Sequence, residues 1–266
     1  MTTRRERPTP VWLVLTGGGA ILLLLVPVLT SFWMSFSPDS YLTPPLTQWS
    51  IRWYERLASD SRWLRAIAAS VAIAAAAAAI SLLLATPAAL ALRGLTRSRR
   101  RTVLLFLLLP ALLPPTSIGC GLLPLFQRIG LWGTYSGIAF AHAALAMPIV
   151  LLIVQSATGE NLTRLEATAA GLGASRSQVF WRVTCPLLRP TLTAAAIVAF
   201  VLSVNESLVS LFLATPDNET LPALIWPQLR YSPTPLVAVA CSLIALVSLF
   251  ALPKLTRGIT DSDARP

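Results

Sequence analysis

ENLTRLEATAAGLGASRSQVFWRVTCPLLRP, residues Glu160 to Pro190, is an amphipathic island in a chain that is otherwise strongly apolar. Leu162, Leu165, Ala169 and Leu172 recur at steps of three, four and three, which predicts a helix carrying all four on one face. Val179 and Val183, four apart with Phe180 beside them, predict a second helix that Pro186 should stop. Gly173 divides the two patterns and can take the positive φ of a sharp inter-helix turn. An apolar face outside a bilayer must be covered, either by the rest of this chain or by a partner.

The surrounding chain sets the context. Of 266 residues, 55% are hydrophobic and 12% charged, about half the roughly 25% usual in soluble domains. With a mean hydropathy of +0.69, this composition predicts an integral membrane protein. The net charge of +10 sits in arginine clusters beside apolar runs, which is the pattern of membrane flanks and not of a nucleic-acid surface. Cys120, Cys185 and Cys241 are far apart and show no disulfide or metal spacing.

Six apolar runs predict six spanning helices: Val11–Met34, Ala66–Leu92, Val103–Phe126, Ser136–Val154, Leu192–Ala214 and Leu236–Leu252. The first is followed by SFWMSFS, without a small-residue cleavage pattern, and reads as an uncleaved span. The second holds an alanine tract, Ala74–Ala79, suited to close helix packing in lipid. The third carries Pro110, Pro114 and Pro115 and should be broken or kinked. Tyr41, Trp49, Trp53, Tyr54 and Trp63 mark an interfacial segment between the first two. Fifteen of the 21 basic residues fall at the two termini, in the 93–101 link and in 157–190. Six lie on the opposite side, so both termini and the 157–190 loop are expected in the cytoplasm.

Chemistry-bearing motifs are few. GxxxxGK[ST], HExxH, CxxC and GxSxG are all absent, so the chain carries no Walker loop and no recognisable catalytic or metal motif. The single histidine, His142, lies inside an apolar run, where it must be hydrogen-bonded or line a pathway. Asn205 and Glu206 interrupt the fifth run. An ionisable group at that depth costs roughly 2.5–3.5 kcal/mol and should face a partner, for instance His142, or an aqueous cavity.

LEATAAGLGASRSQVFWRVTCPLLRP resembles the cytoplasmic EAA loop of bacterial ABC importer permeases, whose pattern is EAA, three residues, Gly, nine residues, Ile-x-Leu-Pro. Gly173 matches the glycine, Val183 the isoleucine and Cys185-Pro186 the Leu-Pro. Ala167 stands at the glutamate position, Thr168 and Ala169 at the two alanines, and Glu166 one residue before them. WYERLASDSRWLRAIAASVAIA, TYSGIAFAHAALAMPIV and NESLVSLFLATPDNETLPALIWPQLRYSPTP are similar to segments of spermidine/putrescine-type permeases.

The resemblance implies an all-α, polytopic type I importer permease (MetI-like) fold, with residues 1–266 as one permease domain in the bacterial inner membrane. It implies a non-catalytic subunit without cofactor, working with two copies of an ATP-binding subunit, a second permease and an external solute-binding protein. Glu166, Ala167, Ala169, Gly173, Val183 and Pro186 would belong to the ATPase coupling loop. Asn205, Glu206 and His142 would belong to the pathway of a small polar solute, a polyamine being one candidate. Two other readings compete with a permease. One is an intramembrane enzyme using His142 or Glu206 as acid and base. The other is a structural membrane protein with a docking loop.

Overall fold

A computed structural model describes residues 11–42 and 48–263. The N-terminal arginines Arg4, Arg5 and Arg7 lie outside the described residues. Among the described residues twelve α-helices follow one another: α1 Val11–Met34, α2 Arg52–Ser59, α3 Ser61–Leu92, α4 Arg97–Leu112, α5 Pro115–Ile129, α6 Tyr135–Ser156, α7 Glu160–Gly171, α8 Arg176–Val179, α9 Cys185–Val204, α10 Leu208–Leu213, α11 Leu221–Tyr231 and α12 Pro235–Asp263. A π turn, Phe180–Thr184, joins α8 to α9. No strand occurs among the described residues.

Among the described residues four helices are long and apolar enough to cross a membrane: α1, α3, α6 and the continuous 29-residue helix Arg176–Val204. α4 and α5 meet at 96°, a bend compatible with one broken span or with a re-entrant pair. The break has a direct cause. Leu113 precedes Pro114 and is forced into extended backbone, φ −89° and ψ 142°, where a helix cannot continue. The sixth expected span falls on α12, whose apolar part Pro235–Ala251 covers roughly 26 Å at 1.5 Å per residue.

The chain forms two compact units. In the larger, residues 60–227 with 246–263, α3 packs against α6 and α9, and α6 against α9. Small side chains make this possible. Ala74, Ala77, Ala85 and Ala89 of α3 are almost fully buried, as are Ala139, Ala141, Ala143 and Ala146 of α6 and Ala195 and Ala199 of α9. In lipid, association depends on such close packing and on hydrogen bonds between helices. The Ser81 hydroxyl supplies one of these, donating to the Ala143 carbonyl at 3.2 Å. A second core joins α3, α5, α6 and α10. Gly119 of α5 is required there, since a Cβ would lie 2.7 Å from the Phe212 ring. Asp60 caps α3 by accepting the Arg62 N–H, and Trp63, expected at the interface, is buried in the first turn.

The smaller unit, residues 11–59 and 228–245, is built on aromatic contacts. Phe36 lies against Phe32, Trp49 and Tyr54, and the Tyr54 hydroxyl is hydrogen-bonded to Ser35 Oγ at 2.6 Å. Trp49 and Tyr41 are exposed, as an interfacial segment requires. α1 buries none of its apolar window against this chain.

Candidate functional site

The loop Glu160–Pro190 folds as two helices that meet at a doubly capped turn. At the end of α7, Gly173 N–H donates to Ala170 C=O and Ala174 N–H to Ala169 C=O. This is a Schellman ending, and Gly173 takes its left-handed position with φ +89°. Ser175 then opens α8 with a capping box. Its hydroxyl accepts the Gln178 N–H, while the Gln178 side chain accepts the Ser175 N–H at 2.8 Å. The turn is therefore fixed by local hydrogen bonds on both sides.

One expectation about this loop needs correction. Pro186 does not stop the helix. The preceding π turn lets Cys185 N–H donate to Phe180 C=O five residues back, and the helix passes through Pro186, which lacks an N–H, into α9. The four apolar residues of α7 and its C-cap do lie on one face, although their burial differs along it. At 100° per residue they spread over about 80° of the helix. Leu162 at one edge is buried, Ala169 is half-buried, and Leu165 and Leu172 are exposed.

Four large apolar side chains of this loop are exposed: Leu172 (85%), Trp181 (66%), Leu165 and Phe180, with Phe180 edge-on to Trp181. A groove of about 450 Å³ runs between α7 and the π turn, lined by Ala167, Ala170, Ala174, Val179 and Phe180 among others. Val183 and Pro186 are half-buried.

Glu166 is held inside this loop. Arg93, the residue that ends α3, grips its carboxylate with both guanidinium nitrogens at 2.6 and 3.3 Å. Thr184 Oγ1 donates to it at 2.7 Å, and Arg93 also donates to Thr163 Oγ1. Partial burial opposes ionisation, but the hydrogen bonds from Arg93 and Thr184 and the Arg93 charge outweigh it and hold the carboxyl below its ordinary value. Sequence reading missed Arg93 and Thr184 as partners; a charge at the end of the second apolar run was the only signal.

The second group lies in the apolar body. The fifth run was expected to be one helix through Ala214, but it breaks after Val204 and resumes at Leu208. Asn205 and Glu206 side chains bond to the backbone here: the Asn205 amide donates to Val201 C=O, and Glu206 Oε1 accepts the N–H groups of Leu208 and Val209 at 2.9 and 3.1 Å. His142 does not reach Glu206. Its Nδ1 pairs with Ser203 Oγ at 2.7 Å and its Nε2 with Ser210 Oγ at 2.9 Å, one serine on each side of the break. With both nitrogens taken and the ring buried, it serves as a clamp. His142, Ser203 and Glu206 line a cavity of about 210 Å³ with Pro110, Leu113, Leu145 and Leu202. Asn205 is not among its lining residues; its amide donates to Val201 C=O and to Ser248 of α12.

A model of the binding-protein-dependent transport system inner membrane component family matches residues 81–254, which include both the loop and the helix break. The chain belongs to that family. It is an all-helical, multi-pass ABC importer permease of MetI-like fold, and a non-catalytic subunit: ATP hydrolysis takes place on a separate chain. The permease is 31% identical to the putrescine transport system permease protein PotI of Escherichia coli over 83% of this chain and 81% of that one. It is 34% identical to the molybdenum transport system permease protein ModB of Mycobacterium tuberculosis over 75% and 81%. In fold it matches the crystal structure of a bacterial ABC transporter that imports the acidic polysaccharide alginate. The TM-score is 0.67 at 18% identity, covering 97% of this permease and 98% of that chain.

Proposed function

We propose that residues 157–190 of this permease form the docking element for an ATP-binding subunit, and that residues 1–266 act as one permease domain paired with a second permease chain. Two ATP-binding subunits and an external solute-binding protein complete the importer in the bacterial inner membrane, with both termini and the loop cytoplasmic. The observation that carries this reading is the exposed group Leu165, Leu172, Phe180 and Trp181 beside the α7–π turn groove, on a loop whose shape is locked by its own caps. Large apolar side chains clustered on a rigid surface call for a protein partner. Closure of the ATPase dimer would displace α7 and α8, and the continuous helix Arg176–Val204 would carry that motion to the cavity at the break.

The cavity lining favours a cationic solute. Glu206 is its one formally charged residue among the described residues, and no Lys or Arg lines it. ModB is named for molybdenum; an oxyanion such as molybdate would meet a carboxylate there without a compensating cation, whereas an amine such as the putrescine PotI is named for would find a counter-charge. We therefore infer a small polar amine, with polyamines the leading class.

Tandem affinity purification tests the docking reading. A Walker-motif ATPase should co-purify with the wild-type chain and be lost when Leu172 and Trp181 are both changed to Ser; its retention in that variant would sink the assignment. Uptake of radiolabelled putrescine, competed by excess unlabelled molybdate or spermidine, tests the solute class. Competition by molybdate and not by spermidine would overturn it.

A further inference from the structure

We propose that Glu166 is a positioning residue that ties the docking loop to the end of α3, and is not itself a contact to the ATPase. This rests on the reading of residues 157–190 as the docking loop. The geometry sets Glu166 apart from its neighbours. Glu166 lines the groove together with Ala167, and Leu165 is exposed, but only Glu166 has both side-chain oxygens engaged within the chain. Oε2 takes Arg93 Nη2, and Oε1 takes Arg93 Nη1 and the Thr184 hydroxyl. Only about a fifth of either charged side chain is exposed, and Thr184 is buried. A carboxylate used in this way has little left to offer a second protein.

Three elements meet at that carboxylate. Arg93 ends α3, Glu166 lies in the middle of α7, and Thr184 is the last residue of the π turn that feeds α9. Arg93 reaches Thr163 as well, so α7 is gripped one turn apart on the same face. A two-pronged, partly desolvated guanidinium–carboxylate pair resists both sliding and rotation. A push on α7 is therefore delivered to α3 through Arg93 and to α9 through Thr184. α3 packs against both α6 and α9, so this node moves the centre of the bundle together with the loop.

Distance measurement between spin labels tests the node without needing the solute. Labels are placed at Asn161 in α7 and Ala91 in the last turn of α3, with the three native cysteines replaced by serine. The assembled importer in lipid nanodiscs is compared without nucleotide and trapped with MgATP and vanadate. One narrow distance, unchanged by trapping, is expected for the otherwise wild-type chain. Glu166→Gln and Arg93→Ala should lose that single distance and shift on trapping, while the charge-swapped pair Glu166→Arg with Arg93→Glu should recover it. ATPase co-purification should survive in every variant. A distance that shifts on trapping with the pair intact, or stays narrow in both single variants, overturns the proposal. Loss of the ATPase from the Glu166→Gln variant alone would make Glu166 a docking contact and overturn it too. Failure of the ATPase to co-purify with the unaltered chain would instead remove the docking reading, and the nucleotide-free distance would still report on the node.

Discussion

Ser203, in the last turn of α9, and Ser210, in α10, are hydrogen-bonded to opposite nitrogens of one imidazole, that of His142. A helix broken for three residues is thereby held in register from the side by α6. The Ser210 hydroxyl also lies 3.3 Å from the Glu206 carbonyl, which fixes the break itself to the clamp.

Removal of the clamp should therefore loosen the break before it unfolds the bundle. His142→Ala deletes two buried hydrogen bonds and leaves a cavity, a cost of about 2–4 kcal/mol. Ser203→Ala and Ser210→Ala should each cost about 1 kcal/mol. The two serine changes should be non-additive with His142→Ala, because they remove the same interactions. Thermal unfolding of the purified permease in detergent, run as a double-mutant cycle, measures this; full additivity would mean that the imidazole does not bridge the two serines.

Gly173 separates strain from steric clash. A Cβ there would meet no atom within 4 Å, yet φ is +89°. Any L side chain in that conformation costs roughly 1–2 kcal/mol, with Asn the most tolerant. Membrane insertion should be normal in Gly173→Ala, Gly173→Asn and Gly173→Asp. Transport should fall in the order Gly, Asn, Ala, Asp. Normal uptake and ATPase association in Gly173→Asp would show that the turn's geometry does not matter to coupling.

Glu206 has two roles that substitution can divide. Gln keeps an oxygen able to accept the Leu208 and Val209 N–H groups but removes the charge, whereas Ala removes both. For a cationic solute, Glu206→Gln should raise the KM for uptake roughly 10–100-fold, the worth of a charged hydrogen bond of about 1.5–3 kcal/mol. Thermal stability should change little in Glu206→Gln and fall in Glu206→Ala. Unchanged transport kinetics in Glu206→Gln would take the carboxylate out of the solute path.

Acid should release the node at Glu166. Its carboxyl titrates below the ordinary 4.5, so the folded state binds its proton less readily than the unfolded state does. The stabilisation is complete above the ordinary carboxylate range and disappears as pH falls through the lower folded value. A variant retaining Trp181 as its one tryptophan should show a fluorescence change below about pH 4.5, the ordinary value, as the loop loosens. Glu166→Gln should lack that transition, and a transition of the same midpoint in that variant would assign it to another group.

Much of this architecture is legible in the residues themselves. The apolar runs at 11–34 and 66–92, the proline break at Leu113–Pro114 and the turn at Gly173 follow from local chemistry, which acts within a few residues. Pro186 was misread because the remedy for a missing N–H, a π turn, is indistinguishable in sequence from an ordinary helix. The break at Asn205–Ser207 hid inside a hydrophobic run, where period and composition change too little to mark it. The partners of His142 and Glu166 were invisible for a different reason. Ser203 and Ser210 lie 61 and 68 residues from His142, and Arg93 and Thr184 lie 73 and 18 residues from Glu166; only packing decides which polar group meets which. Asn205 and Glu206 show the same limit at closer range: adjacent in sequence, they serve α12 and the cavity respectively.

The unbroken helix from Arg176 to Val204 also has a simple leverage. Its contour is roughly 44 Å at 1.5 Å per residue. A tilt of only about 5° about its cytoplasmic end would sweep the far end through roughly 4 Å, more than a water molecule's width, for a helix of that length. A small rotation at the loop is thus amplified along the helix toward the cavity that Leu202 and Ser203 line near its far end.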